Sequence, residues 1–217
     1  MVNKAGTVLL SLIRQRAWNK VLKILSFNPK LAQPCESSCR ENCTQLHSPL
    51  LLACKLNPPL DVVNSLLQAY PDASVETDCE NKLPLHVACE FGAHPAVINT
   101  LLKANIDAAM EKDIFGMLPI HRVCDSYLYN FDIGSTKMDP QYSVIETISI
   151  LLGAQPTALL VDDNKEMCPI EYAIESNLSL AVIRILQKVS QRELLKKEMN
   201  IKNTSEHGKR RYYSRAA

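Results

Sequence analysis

Leu83-Pro84-Leu85-His86-Val87-Ala88-Cys89 is the stretch on which the fold turns. The same block precedes it as Ser48-Pro49-Leu50-Leu51-Leu52-Ala53-Cys54. It follows as Leu118-Pro119-Ile120-His121-Arg122-Val123-Cys124, and in a weaker copy as Cys168-Pro169-Ile170-Glu171-Tyr172-Ala173-Ile174. The prolines lie 35, 35 and 50 residues apart, the last interval being one period plus 15 residues. Self-similarity at a fixed period of this size marks a chain of stacked supersecondary units.

Each block reads as a short buried helix. Proline in the first helical turn costs no hydrogen bond, because the N–H it lacks would have no partner there. The Leu or Ile, Ala and Cys after it are small or apolar at roughly helical spacing. A second element keeps step, with Val62, Val63, Leu66 and Leu67, then Val97, Ile98, Leu101 and Leu102, then Ile148, Leu151 and Leu152, and last Val182, Ile185 and Leu186. Apolar residues at i, i+3 and i+4 form one face of a second helix. Pro71 and Pro156 cannot continue that helix and end it. The N-terminal stretch matches the second element with Ile24, Leu25 and Pro29.

Polar turns separate the units: Asp78-Cys79-Glu80-Asn81-Lys82, Asp113-Ile114-Phe115-Gly116-Met117 and Asp163-Asn164-Lys165-Glu166-Met167. Asn81 and Gly116 stand three residues before their prolines, and both tolerate the left-handed backbone of a tight turn. Glu166 holds that phase in the last turn and does not share this tolerance, so that turn is expected to differ. One helix pair is too small to bury its own core, and stacking neighbours bury it jointly.

At these residues the sequence resembles the ankyrin repeat family. The family pattern is a β-turn, a T-P-L-H-x-A start to a first helix, and a second helix with a Leu-Leu pair. The unit at Pro84 fits best, through Leu85, His86, Ala88, Gly92, Val97, Leu101 and Leu102. Departures are Leu51 and Glu171 for the histidine, Val123 for the alanine, and Ser48, Leu83, Leu118 and Cys168 for the threonine. The array is thus divergent, and the resemblance covers residues 15 to 190.

The resemblance implies an all-α solenoid with short β-hairpin-like turns between helix pairs. The expected organisation is an N-terminal capping half repeat (1–34), a Cys-rich insertion (35–47) and ankyrin-like repeats (48–187, about four). An insertion at 125–142 interrupts the repeats, and a terminal helix with a basic tail expected to be disordered follows (188–217). Trp18, Val21, Leu22 and Leu25 are expected to face the first full repeat.

The resemblance also implies a protein-binding scaffold or adaptor that works through a concave face of turn tips and first helices. By alignment the family's variable contact positions fall on Glu80, Lys82, Glu90 and Phe91 in the repeat of Pro84. In the repeat of Pro119 they fall on Ile114, Phe115, Met117 and Asp125. In the repeat of Pro169 they fall on Asn164, Lys165, Met167 and Glu175. Phe91, Ile114, Phe115 and Met117 are apolar where solvent favours polar residues, so they are expected to form a hydrophobic patch for a partner. The family's histidine bonds a neighbouring repeat's turn, and His86 and His121 are expected to do the same. Tyr127 and Tyr129, in an insertion with four aromatics, are further candidate contacts; the alternative is that this segment folds back over a neighbouring repeat.

Composition bounds the rest. The chain has 217 residues, 47% hydrophobic and 22% charged, so it holds enough apolar surface to offset chain entropy. A net charge of +1 gives no global field that calls for nucleic acid. No run approaches the length of a membrane span, and Arg14 and Arg16 cut the apolar run from Val8 to Ile13. A cytoplasmic or nuclear location is expected, with a protein partner, no small-molecule substrate, no nucleic acid and no membrane, and with the chain a monomer. The 8 cysteines then read as free thiols or metal ligands rather than disulfides. Cys54, Cys89 and Cys124 recur at the repeat period, as a packing role predicts. There is no P-loop, G-x-G-x-x-G, H-E-x-x-H or G-x-S-x-G motif, and neither repeat histidine has a nucleophile recurring beside it. No catalysis and no cofactor are expected.

Two other classes stay open. Cys35, Cys39, Cys43 and His47 suggest a metal- or redox-sensing module. On one helix these four would span about 18 Å, so the chain would have to turn for them to converge on one ion. Residues 191–217 carry eight basic and three acidic side chains, a net +5 that leaves −4 for the rest. Such a tail reads as a nuclear address or a weak polyanion contact, or else as plain solvated chain.

Overall fold

The computed structural model describes residues 4–34, 48–125 and 140–213, and side chains over 6–34, 48–125 and 143–199. The described residues are all-helical and contain no strand. The helices are α1 (Lys4–Arg14), α2 (Trp18–Phe27), α3 (Pro49–Lys55), α4 (Leu60–Ala69), α5 (Pro84–Glu90), α6 (Pro95–Ala104), α7 (Pro119–Asp125), α8 (Pro140–Ala154), α9 (Pro169–Glu175) and α10 (Leu180–Tyr213).

Each repeated proline opens a seven-residue first helix: α3, α5, α7 and α9. A left-handed residue stops three of them. Asn57, Gly92 and Asn177 stand eight residues after their prolines with φ of 54°, 64° and 53°. The chain reverses there, and the next amide returns to the helix: Ala93 N–H donates to Ala88 C=O, and Leu178 N–H to Ala173 C=O, both at 2.9 Å. This 6→1 closure satisfies carbonyls that the helix end would leave bare. In the fourth unit the same phase falls on Tyr127, inside the inserted segment. As expected, α4 and α8 stop before Pro71 and Pro156, which open single 3-10 turns.

The helices pack in two rows. First helices follow one another as α1, α3, α5, α7 and α9, and second helices as α2, α4, α6 and α8. α10 pairs with α9 and covers the turn Pro156–Leu160. One apolar core runs from Leu9 to Leu186. Cys54, Cys89 and Cys124 are buried in it between successive first helices, and burial pushes the Cys54 thiol up to about 12. Ile174 occupies their phase in the last unit and is 55% exposed, because among the described residues no further first helix lies over it. Cover by the next unit, not hydrophobicity, buries this position.

Several expectations need correction. The N-terminal unit is a complete helix pair rather than half of one: α1 packs on α3 as α2 packs on α4. Val21 and Leu25 are buried, with Trp18 and Leu22 partly buried against the core. The 125–142 insertion ends at Pro140, where α8 begins. α8 has 15 residues where α4 and α6 have 10, so a third of the excess lengthens a helix. The tail expected to be disordered continues α10 to Tyr213. From Arg192 to Glu206 it is rich in Lys, Arg, Glu and Leu and free of Gly and Pro, a composition with good helix propensity. Among the described residues no strand forms at the unit boundaries, where the three five-residue turns close on an aspartate. Each turn is tied by two backbone bonds, as from Asp113 N–H to Met117 C=O at 3.0 Å and from Gly116 N–H to Asp113 C=O at 2.9 Å.

The last turn does not differ. Glu166 takes φ of 61°, beside 56° for Asn81 and 76° for Gly116. The turn's hydrogen bonds impose this conformation on a residue that dislikes it, which costs about 1–2 kcal/mol. Glu166→Gly is therefore expected to raise stability by about 0.5–1 kcal/mol, the relief being partly offset by glycine's freedom when unfolded. Gly116→Ala is expected to cost about 2 kcal/mol or more. Besides the strained φ, its new Cβ would lie 2.8 Å from the Asn164 backbone nitrogen. Urea unfolding of both variants reads the opposite signs; a stabilised Gly116→Ala would refute this account of the turn.

Candidate partner-binding face

The turn tips are built by their aspartates. Asp113 Oδ1 accepts the N–H of Phe115 at 2.8 Å and of Met117 at 3.0 Å. Asp163 Oδ1 holds Lys165 and Met167 at the same distances, and Asp78 Oδ1 holds Glu80 and Lys82, both at 2.9 Å. Neighbouring tips are then joined. Ile114 N–H donates to the Glu80 carbonyl and Asn164 N–H to the Phe115 carbonyl, both at 3.0 Å. The Asn81 and Asn164 side-chain amides reach the Lys112 and Ile114 carbonyls at 3.1 and 3.0 Å. Three tips thereby form one hydrogen-bonded strip.

Histidines tie the strip to the first helices. His86 Nδ1 accepts the Leu83 N–H at 3.2 Å, and its Nε2 donates towards the carbonyls of Glu111 and Met117 in the next unit, at 3.0 and 3.2 Å. His86 thus joins the next unit's turn, as the resemblance implied. His121 Nδ1 accepts the Leu118 N–H at 3.0 Å, but its Nε2 only faces the next unit, near the Val161 and Met167 carbonyls, without completing a hydrogen bond. Glu171 keeps half the histidine's work, accepting the Cys168 N–H at 2.7 Å. Burial pushes the His86 pKa down to about 4, against the pull of Asp113.

Beneath the tips lies a buried charge network. The Lys82 ammonium sits 2.6 Å from Glu80 and 2.8 Å from Glu90. Arg122 grips Asp113 Oδ2 through Nε at 2.9 Å and through Nη2, and its Nη1 lies 3.9 Å from Glu90. In the next unit Tyr172 takes the place of Arg122 and donates to Asp163 Oδ2 at 2.6 Å. Burial disfavours charge on Asp163, but the bonds from Tyr172 and the Met167 and Lys165 amides outweigh it and hold the carboxyl below its usual range. The Phe115 ring lies on Arg122, 5.4 Å from guanidinium carbon to ring centroid, and Lys55 stands as close to the Phe91 ring.

The candidate contact residues divide on this frame. Ile114 and Phe115 stand out at the central tip, 53% and 44% exposed. Asn164, Lys165 and Glu175 are exposed, while Glu80, Glu90, Phe91, Asp125 and Met167 are half-buried. Met117 is 4% exposed and belongs to the core, so it leaves the apolar patch. Lys82 is likewise buried, its charge consumed by two carboxylates. Tyr127 and Tyr129 lie outside the described residues, as do Cys35, Cys39, Cys43 and His47. Among the described residues no cluster suited to a metal ion is present.

Sequence reading passed over Arg122 and Tyr172. Their signal was an Arg and a Tyr at the phase where Leu52 and Val87 are apolar, nine residues after a recurring Asp. Comparison with protein-family models gave no match, and comparison with curated proteins gave none.

Proposed function

We propose that this chain is a divergent ankyrin-type solenoid that acts as a protein-binding scaffold or adaptor and catalyses nothing. The observation that carries the reading is the central tip. Two large apolar side chains, Ile114 and Phe115, are held out to solvent by a strip whose backbone is hydrogen-bonded on both sides. Holding them half exposed forfeits about 1 kcal/mol of burial for each side chain, a loss a partner's surface would recover. The strip is rigid before binding, so little ordering entropy is lost on docking. The equivalent phase of successive first helices supports the repeat reading, and the free buried thiols of Cys54, Cys89 and Cys124 suit a reducing compartment, cytoplasmic or nuclear.

The test is affinity capture with the full chain against Ile114→Asp plus Phe115→Asp. Both side chains are exposed, so circular dichroism melting should barely move while partners recovered by the wild type are lost. Recovery of every partner at full strength by a folded variant would refute the reading.

A further inference from the structure

We infer that the apolar tip receives a basic protein segment, whose apolar side chain packs on Ile114 and Phe115 while its cations pair with Asp125 and Glu175. This deepens the scaffold reading and rests on it. Glu90, Asp125 and Glu175 share one phase: each is the last residue of its first helix, α5, α7 and α9. A helix C-terminus carries about −0.5 of a charge and disfavours an anion. α3 has Lys55 at this phase, in keeping with that preference. At Glu90 the paired Lys82 ammonium, 2.8 Å away, offsets this cost, whereas Asp125 and Glu175 bear it. Local electrostatics alone would not put them there.

Among the described residues no basic side chain pairs with Asp125 or Glu175. Both lie close enough to the Tyr172 hydroxyl to disfavour its ionisation, after burial and Asp163 have raised its pKa. Across the three turns and first helices (76–91, 111–125 and 162–175) twelve acidic residues face four basic ones. Of those four, Lys82 and Arg122 are held in buried pairs, and Lys112 bonds the Asp162 carbonyl at 2.8 Å. Lys112 keeps its charge beside a neutral carbonyl, as does Lys165, but twelve acidic residues against four basic ones leave the face anionic although the chain's net charge is +1. An apolar anchor flanked by unpaired carboxylates selects a cationic segment, and a desolvated acidic one would be repelled.

The probe is a displayed library of random peptides about twelve residues long, long enough to cross several repeats when extended, panned on the full-length chain. Enriched peptides should carry several Lys or Arg and at least one large apolar residue. Their affinity should fall about tenfold or more for Asp125→Lys plus Glu175→Lys, and should weaken between about 50 and 300 mM salt. The same variant should melt at a higher temperature than wild type, since it restores the favoured charge to two helix ends; a purely structural role for these carboxylates predicts the reverse. Enriched peptides that are neutral or acidic, or that ignore the charge reversal, overturn the basic-segment proposal. If those peptides still lose binding in Phe115→Asp, the docking face stands and only its charge preference fails. If they ignore Phe115→Asp as well, or if nothing is enriched, the proposal is overturned, and the capture experiment alone decides the scaffold reading.

Discussion

Asp113→Ala is expected to destabilise the fold by about 3–5 kcal/mol, the usual cost of breaking a buried ion pair from one side. The Asp113 side chain is inaccessible to solvent, and both its oxygens are engaged. Its loss strips Phe115 and Met117 of their amide acceptor. It also leaves the Arg122 guanidinium, itself almost buried, with only Glu90 at 3.9 Å. Each unmet donor costs about 1–3 kcal/mol, and the charged one more. Asp113→Asn separates the two roles. It can still accept from the turn amides but supplies no charge to Arg122, so it should recover part of the loss and no more. Asp78→Ala is the control, because Val87 stands where Arg122 would and no buried cation is orphaned. Chemical denaturation of the three variants gives the ranking; an Asp78→Ala as damaging as Asp113→Ala would show that the turn amides, not the ion pair, dominate.

Lowering the pH from 6.5 to 4 is expected to remove about 3 kcal/mol of stability through His86 alone. The sign follows from the hydrogen bonds. Nδ1 accepts the Leu83 N–H and Nε2 donates to two carbonyls, so the buried ring is neutral and has no site for a second proton. The folded pKa is about 4, while the unfolded histidine keeps a value near 6.5. Below 6.5 the unfolded chain binds a proton that the folded chain refuses, and the loss levels off once the folded ring titrates. His121, also held low by burial, adds in the same direction. Asp163 adds little in this window, because its contribution is lost only as pH falls from the unfolded value of 3.8 towards its lowered folded one. Unfolding free energies at about pH 7 and pH 4.5 for wild type and His86→Gln isolate the term, which predicts a flatter dependence in the variant. Equal slopes would rule it out.

Much of the fold was legible because its determinants are local and repeated. A proline at the start of each repeated first helix, apolar residues at helical spacing and a residue fit for positive φ before two of those prolines, Asn81 and Gly116, are decided within a few positions. Where an expectation failed, a neighbour had intervened. Glu166 adopts the left-handed backbone because Asp163 and the preceding tip hold the turn on both sides. Met117 looked like a surface residue by phase, yet packing removes it from solvent. Ile174 looked like core by phase, yet among the described residues no first helix covers it.

The chain alone determined where the repeated first helices begin and that units recur at 35 residues with one interval of 50, since proline geometry and amphipathic spacing act through near neighbours in sequence. Tertiary structure alone decided which charges meet. Lys82 with Glu90, Arg122 with Asp113 and the exposure of Phe115 all depend on how a turn folds over its own helix and docks on the next. Coulomb pairing and burial depend on distance in space, which a linear pattern does not carry.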